Sequence, residues 1–343
     1  AQFKADAGSV VRQAISSESS YTIPHTASWN WTITFAEVTS NVILQTLRGE
    51  LKQWEFLKGL ITMFNLVTSP DKSNPNQINI ETYSDVFLNN TDSKQLNWTE
   101  KIDTEQIKLT PLTDLNKSTI FKFVEDEDDY AFNLYKGATS GYLYGSREYQ
   151  AWNEFNILEG EEEIIAEPFA ATVVKPLSNL HPDFIVPSLY AYNPTDNTSE
   201  GFDNSPRIMY NNGKKTLTNF TYLIPAQNGV VGANQNEFLQ FSHLSDVPTI
   251  SGSRDFHFGE CQLFQGVGDS VPDNLFNLYW LPYLSELYNP DTRIMSIKVN
   301  LSPNDIATFR FYDTVIIKNR EYRVNKIDYK PNDLSTVEFI LIP

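Results

Sequence analysis

The sequence has very little cysteine, no long apolar run and no recognisable targeting segment. A single cysteine, Cys261, is present in 343 residues, so no intrachain disulfide can form and a disulfide-stapled scaffold is excluded. No apolar run approaches the roughly 18 residues that a membrane-spanning helix needs, so we expect no stable membrane insertion. The sequence begins at Ala1 without methionine or a signal-peptide pattern, and we therefore expect a trimmed protein or part of a longer one.

Basic residues are also few. The chain has 26 Lys and Arg against 43 Asp and Glu, which gives a net charge of -17. Because nucleic-acid affinity depends on basic side chains that neutralise phosphates, this balance counts against a protein that grips DNA or RNA. Solubility alone explains the acidic excess. The alternative is an acidic wall along a channel, which would repel DNA and let it slide through.

No group of residues has the spacing that is typical of catalysis or of zinc binding. The four histidines, His25, His181, His243 and His257, are scattered, and each is predicted to be a surface or hydrogen-bonded polar residue. Cys261 and His257 form a conceivable nucleophile–base pair, but an inert buried thiol is the favoured interpretation. Glycine-rich phosphate loops and a Gly-X-Ser-X-Gly elbow are missing. We therefore predict that the chain is not an enzyme, with no catalytic, cofactor-binding or metal-binding residues and no cofactor.

The acidic run from Glu125 to Asp129 is a dense cluster of oxygen ligands. It lacks the spaced Asp-X-Asn-X-Asp-Gly pattern of a calcium loop, so a solvated acidic turn is favoured and a calcium site is the alternative. Carboxylate pairs for glycoside hydrolysis can be drawn in many ways from 43 acidic residues. No such pair therefore indicates this activity.

Aromatic residues are abundant, at 13% of the chain, which favours strands and subunit contacts. Trp29 to Phe35 alternate apolar with polar residues and are predicted to form a strand. Leu51 to Leu66 carry an apolar stripe at helical spacing and are predicted to form an amphipathic helix. Gln77 to Tyr83 alternate again. A helix between two strands buries its stripe most simply by packing on a sheet.

The remaining pattern is uneven along the chain. Strands are predicted over Thr119–Val124, around Trp98, over Ile107–Leu112, and over Arg293–Leu301, Thr314–Lys318, Glu321–Tyr329 and Ser335–Ile342. A short helix is expected over Tyr130–Tyr135 with Asp128 or Asp129 at its start, and another start at Ser302-Pro303. In the Pro- and Asn-rich middle, strand candidates are Arg207–Tyr210, Thr216–Leu223 and Glu237–Phe241, followed by an aromatic stripe at Leu275–Leu287 that Pro282 interrupts.

The predicted fold is therefore mostly β with minor α, and three regions are expected. Residues 1–112 are a β-rich region with the amphipathic helix, forming the first part of a barrel. Residues 113–290 are an inserted β-rich lobe. Residues 291–343 are the closing antiparallel strands of the barrel.

Several segments resemble tail hub or baseplate hub proteins of tailed bacteriophages. They are Leu51–Leu66, Ile78–Tyr83, Trp98–Asp103, Tyr144-Gly145-Ser146-Arg147, Ser302–Ile306 and Tyr322–Ile327. The resemblance covers residues 45–165 and 290–343, about half of the chain. It implies tail-tube-like β-barrel domains whose strands pair between subunits of a ring around the DNA channel.

The resemblance also implies partners and a location. The chain is expected to self-associate into a ring and to contact other tail proteins (tube, adaptor, fibre or spike). DNA is expected only in transit through the lumen, and the location is the virion. The alternative function is a carbohydrate- or receptor-binding tail protein, with Trp29, Trp31, Trp152 and Trp280 as candidates for stacking on sugars. A hydrolase of cell-wall glycan is a third alternative.

Overall fold

The computed structural model describes residues 51–71, 73–74, 76–111, 115–152, 158–178, 180–198, 204–226, 231–247, 252–259 and 271–342. The fold is mostly β, with 42% strand and 19% helix, which confirms the predicted class. The chain divides into two compact units, one made of Ala1–Leu51 with Thr216–Phe238 and the other of Lys52–Lys215 with Leu239–Pro343. The strand predicted over residues 29–35 lies outside the described residues.

Two helices end by Ala138 and two begin at or after Leu281, and the described elements between Ala138 and Phe276 are all strands. The helices are α1 (Gln53–Phe64), α2 (Tyr130–Ala138), α3 (Leu281–Leu287) and α4 (Pro303–Thr308), with π-helical turns at Ser84–Leu88 and Phe276–Trp280 and a 3₁₀ turn at Thr99–Lys101. The strands are β1 (Leu66–Pro70), β2 (Ile78–Thr82), β3 (Gln95–Asn97), β4 (Ile102–Pro111), β5 (Ser118–Val124), β6 (Arg147–Gln150), β7 (Glu161–Ala170), β8 (Val173–Ser178), β9 (His181–Ser188), β10 (Tyr210–Thr216), β11 (Tyr222–Ile224), β12 (Ala233–Gln235), β13 (Glu237–Ser242), β14 (Arg293–Val299), β15 (Thr314–Ile317), β16 (Arg320–Asp328) and β17 (Ser335–Leu341).

The largest sheet is a curled half-barrel of six strands in the order β3-β15-β16-β17-β14-β4. It joins strands from residues 1–112 with strands from residues 291–343, the two stretches that the sequence analysis places in one barrel. The division of the chain into three regions stays a prediction. Alternate residues of four strands point into its core, as the period of two requires. They are Met295, Ile297, Val299, Val315, Ile317, Tyr322, Val324, Val337 and Phe339. Trp98 fills the centre, with its ring 5.8 Å from that of Phe309.

The closing strands pair antiparallel, as predicted. β15 and β16 pair antiparallel around Lys318 and Asn319, whose φ angles of 48° and 65° suit the tight turn that matches the twist of the strands. The helix start at Ser302 is also confirmed, because Ser302 and Asp305 form a reciprocal capping box. Asp305 also binds Lys101 at 2.6 Å. Burial alone would raise the pKa of Asp305, but hydrogen bonds from Lys101 and Ser302 outweigh it and lower that pKa below the usual 3.8.

A second layer packs α1 on the three-stranded sheet β6-β5-β7. The predicted amphipathic helix is confirmed, and it ends at Asn65 in the left-handed conformation, with φ of 47°. The Phe56 ring meets the Phe169 ring of β7 edge-on at 5.3 Å. Gly59 lies so close to β7 that a Cβ atom there would be 2.5 Å from the Glu167 carbonyl oxygen. The helix therefore touches the sheet through its glycine.

The acidic run is not a solvated turn along its whole length, which corrects the sequence interpretation. Asp129 caps α2 by accepting from the backbone N–H groups of Ala131 and Phe132, as expected for a residue at this place. Asp126 binds Arg207 at 2.7 Å and Asp129 binds the same guanidinium at 3.3 Å, with all three side chains buried. The sequence interpretation is wrong because Arg207 lies about eighty residues away in sequence, and no local pattern predicts its contact with the acidic run.

Three other expectations in the middle of the chain are wrong. The strand predicted over Thr216–Leu223 is replaced by a turn at Asn219, where φ is 56°, and the neighbouring strand runs over Tyr210–Thr216 instead of Arg207–Tyr210. Pro282 does not interrupt the aromatic stripe, because it lies at the start of α3, where a missing N–H is tolerated. The preceding π-helical turn, in which Leu281 N–H bonds to the Phe276 carbonyl, carries the helix past the proline.

Candidate functional site

The half-barrel ends in two edge strands, β3 and β4, and its mouth beside β4 is apolar. Among the described residues, β4 pairs only with β14, and the pairing is broken by a bulge between Asp103 and Lys108. A cavity of about 300 Å³ opens there on the inner face. It is lined by Ile102, Ile107, Leu109, Met295, Ile297, Tyr322 and Leu341 with three basic residues. Leu109 is 64% exposed and Ile107 is 44% exposed, so this mouth is an apolar surface that a partner can cover.

A larger cleft of about 1080 Å³ lies elsewhere in the same unit, between β1, α3, the loop after α4 and β16. Arg323 of β16 lies in it and binds Glu286 of α3 with two N–O contacts of 3.0 Å. Tyr83 donates to Glu286 at 2.6 Å and accepts from Arg323 at 2.7 Å. Burial raises the pKa of the Tyr83 phenol, against the effect of Arg323, so the phenol keeps its proton.

These contacts pair the charged side chains in the cleft with one another. The guanidinium and the carboxylate neutralise each other, and Arg323 also stacks over the rings of Tyr83 and Phe87. Because both charges are already paired, they offer no unpaired group to a ligand. We interpret this network as a structural contact that holds α3 against the half-barrel sheet rather than as a substrate site.

A third feature is a buried cluster of His243, Asp255 and His257. The three residues are 1%, 4% and 3% exposed. Two antiparallel segments hold them, because Phe256 N–H bonds to the His243 carbonyl at 3.0 Å and Leu244 bridges to Asp255. The backbone therefore brings residues that are twelve positions apart into contact.

Within the cluster, the two imidazole rings stack at 3.9 Å, with 14° between their planes. His243 Nδ1 lies 2.7 Å from Asp255 Oδ1, which also accepts the backbone N–H of His257 at 2.9 Å. His243 Nε2 lies 2.8 Å from the hydroxyl of Tyr144. Burial, together with the neighbouring His243, lowers the pKa of His257 well below its usual value, so that imidazole is neutral.

The turn at Tyr144 and Gly145 fits this cluster. Gly145 has a φ of 80°, and a Cβ atom there would lie 2.9 Å from the His257 ring. Glycine is needed both for the backbone conformation and for the space.

The residues singled out in the sequence are dispersed. Trp152 is 66% exposed, whereas Trp280 is partly buried and donates its indole N–H to the Thr62 carbonyl at 3.0 Å, so it does not offer a face for a sugar. Trp29, Trp31, His25 and Cys261 lie outside the described residues, and His181 lies in β9. The cluster of His243, Asp255 and His257 was missed as a group. The only local signal is the Asp-X-His spacing at residues 255–257.

Comparisons with known proteins give no assignment. No protein-family model, no curated protein and no solved structure matches the chain. None of the helices in the described part of the chain is both long enough and apolar enough to cross a bilayer.

Proposed function

We propose that the chain is a structural component of a bacteriophage tail, a hub or baseplate-hub subunit that forms a ring around the DNA channel and connects tail parts. The observation that carries this proposal is the open half-barrel, whose edge strand β4 exposes Ile107 and Leu109 beside an apolar cavity. A closed barrel has no edge, but a half-barrel leaves backbone groups and apolar side chains that the next subunit can cover.

Two further features support this role. The segments that resemble hub proteins include α1 and parts of the closing strands, and these strands build the half-barrel with β3 and β4. The net charge of -17 suits a subunit past which DNA must slide without binding, because like charges repel at short range. Its partners on this proposal are copies of itself and other tail proteins.

Ring formation is tested by light scattering and negative-stain imaging of the purified chain, alone and mixed with tail proteins. Leu109→Asp places a charge in the mouth and is expected to abolish rings, because a charge buried in an apolar interface is costly. Leu134→Asp in α2 is the matched control, since Leu134 is 48% exposed and lies outside the half-barrel. Rings are expected to persist in the control.

A chain that stays a compact monomer at high concentration, and that makes no ring with tail partners, would overturn the proposal. Rings that form unchanged in Leu109→Asp would show that the subunit contact lies elsewhere and that the half-barrel mouth is not part of it.

A further inference from the structure

The cluster of His243, Asp255 and His257 has a donor set that is typical of a transition-metal site. Two imidazoles and a carboxylate are common ligands of zinc and related divalent ions. One donor atom from each residue can be chosen so that all lie within 4.8 Å of one another. Bonds of about 2.1 Å in a tetrahedral site place donors about 3.4 Å apart. Metal binding therefore requires the donors to move closer together and the two stacked rings to turn until a nitrogen of each faces the ion.

The charge of the cluster gives a second reason for a cation. Asp255 is buried, and its ion-pair partner among the described residues is the imidazole of His243. Burying a carboxylate is costly unless it is paired, and a divalent cation would add a full positive charge beside it.

The surrounding hydrogen bonds also suit a metal centre. In metal sites, the second nitrogen of a histidine ligand usually donates to a neighbouring oxygen, which fixes the ring. Here Tyr144 lies beside His243 Nε2 at 2.8 Å. The backbone N–H of His257 holds the Asp255 carboxylate.

We propose that His243, Asp255 and His257 bind one divalent transition-metal ion of the zinc type in the core of the larger unit. The ion takes the place of the proton between His243 Nδ1 and Asp255 Oδ1. The proton then moves to His243 Nε2, which donates it to the Tyr144 oxygen. The site is structural in role, because the three ligands are buried, and its loss is expected to lower stability.

The test starts from full-length protein carrying a purification tag without histidine. Metal content is measured by plasma mass spectrometry after exchange into metal-free buffer, and melting is followed with and without added Zn²⁺. We expect about one zinc ion per chain, a lower melting temperature after chelation, and recovery when Zn²⁺ is returned. Cobalt substituted for zinc should give the visible absorption of a low-coordinate site.

Asp255→Asn and His257→Asn each remove one ligand, and zinc binding is expected to weaken by at least about 100-fold. Asp255→Asn keeps a side-chain oxygen that accepts the His257 N–H, so it is the milder change. His181→Gln is the matched control, because it removes a histidine outside the cluster, and its zinc content should equal that of the parent chain.

If a variant fails to fold, the metal content and the melting of the parent protein still test the metal site. Parent protein that is free of metal as purified, and whose melting does not respond to Zn²⁺ or Co²⁺, overturns the proposal and leaves a hydrogen-bonded polar cluster. Folded variants that bind zinc as tightly as the parent would also overturn it. Neither outcome depends on ring formation.

Discussion

Replacing Gly59 with alanine tests the close contact between α1 and β7. In an isolated helix this change is favourable, because glycine is about 1 kcal/mol less favourable than alanine in a helix interior. In this fold, however, the added Cβ would lie 2.5 Å from the Glu167 carbonyl oxygen and 2.5 Å from a ring carbon of Phe169. Ordinary carbon contacts are about 3.5–4.0 Å, so α1 must move away from β7 by about 1 Å.

The net effect follows from the two opposing terms. Overpacking of this kind costs about 1–3 kcal/mol, and the upper part of this range applies because one obstacle is a backbone oxygen that cannot turn aside. After the gain of about 1 kcal/mol in helix propensity is subtracted, Gly59→Ala should destabilise the protein by about 1–2 kcal/mol.

Gly137→Ala in α2 is the matched control. No atom lies within 4 Å of a Cβ atom built there, so only the propensity term remains, and this variant should gain up to about 1 kcal/mol. The assay is urea unfolding followed by circular dichroism, in which the two midpoints should move in opposite directions with unchanged slopes. If Gly59→Ala gains stability as Gly137→Ala does, then α1 does not approach β7 as closely as described.

Two further substitutions address the half-barrel and its neighbours. Glu286→Gln leaves Arg323 partly buried without its anionic partner, and we expect a loss of about 3 kcal/mol in unfolding free energy; the double variant with Arg323→Met should recover part of it, and additive losses would contradict the pairing. Asp305→Asn should cost about 1 kcal/mol at neutral pH through the weakened cap. Because the pKa of Asp305 is lowered on folding, its contribution is complete above the usual 3.8 and fades as the pH falls below that value. The difference between parent and variant in urea unfolding should therefore shrink in acid, and a difference that persists at pH 2 would show that the charge is not the cause.

Local patterns in the sequence predicted the elements whose residues contact near neighbours. Spacings of two to four residues define the apolar stripe of α1 and the alternation of β5 and of the three closing strands. Such short spacings are visible in the sequence itself. The fold class follows from these elements. The curled arrangement does not, because it depends on the pairing of β3 with β15 and of β4 with β14, and each of these pairs joins strands that are about two hundred residues apart.

The candidate sites depend on contacts that no local pattern contains. Gly59 looks like a weak point in a helix until Phe169 is placed against it. The acidic run is predicted to be solvated, but in the structure Asp126 binds Arg207 from a loop distant in sequence. Likewise, His243 and Asp255 are brought together by one backbone pairing, and the spacing that results matches no zinc motif.

The two proposals concern different parts of the core, and this separation makes them independent. The half-barrel mouth belongs to the cluster of buried residues around Trp98 and Phe339. The histidine cluster adjoins the other large cluster, since Tyr144 belongs to it and packs against both imidazoles. The two clusters share no buried residue, and effects at sites without shared partners are usually additive. Failure of one proposal in its own test would therefore leave the other standing.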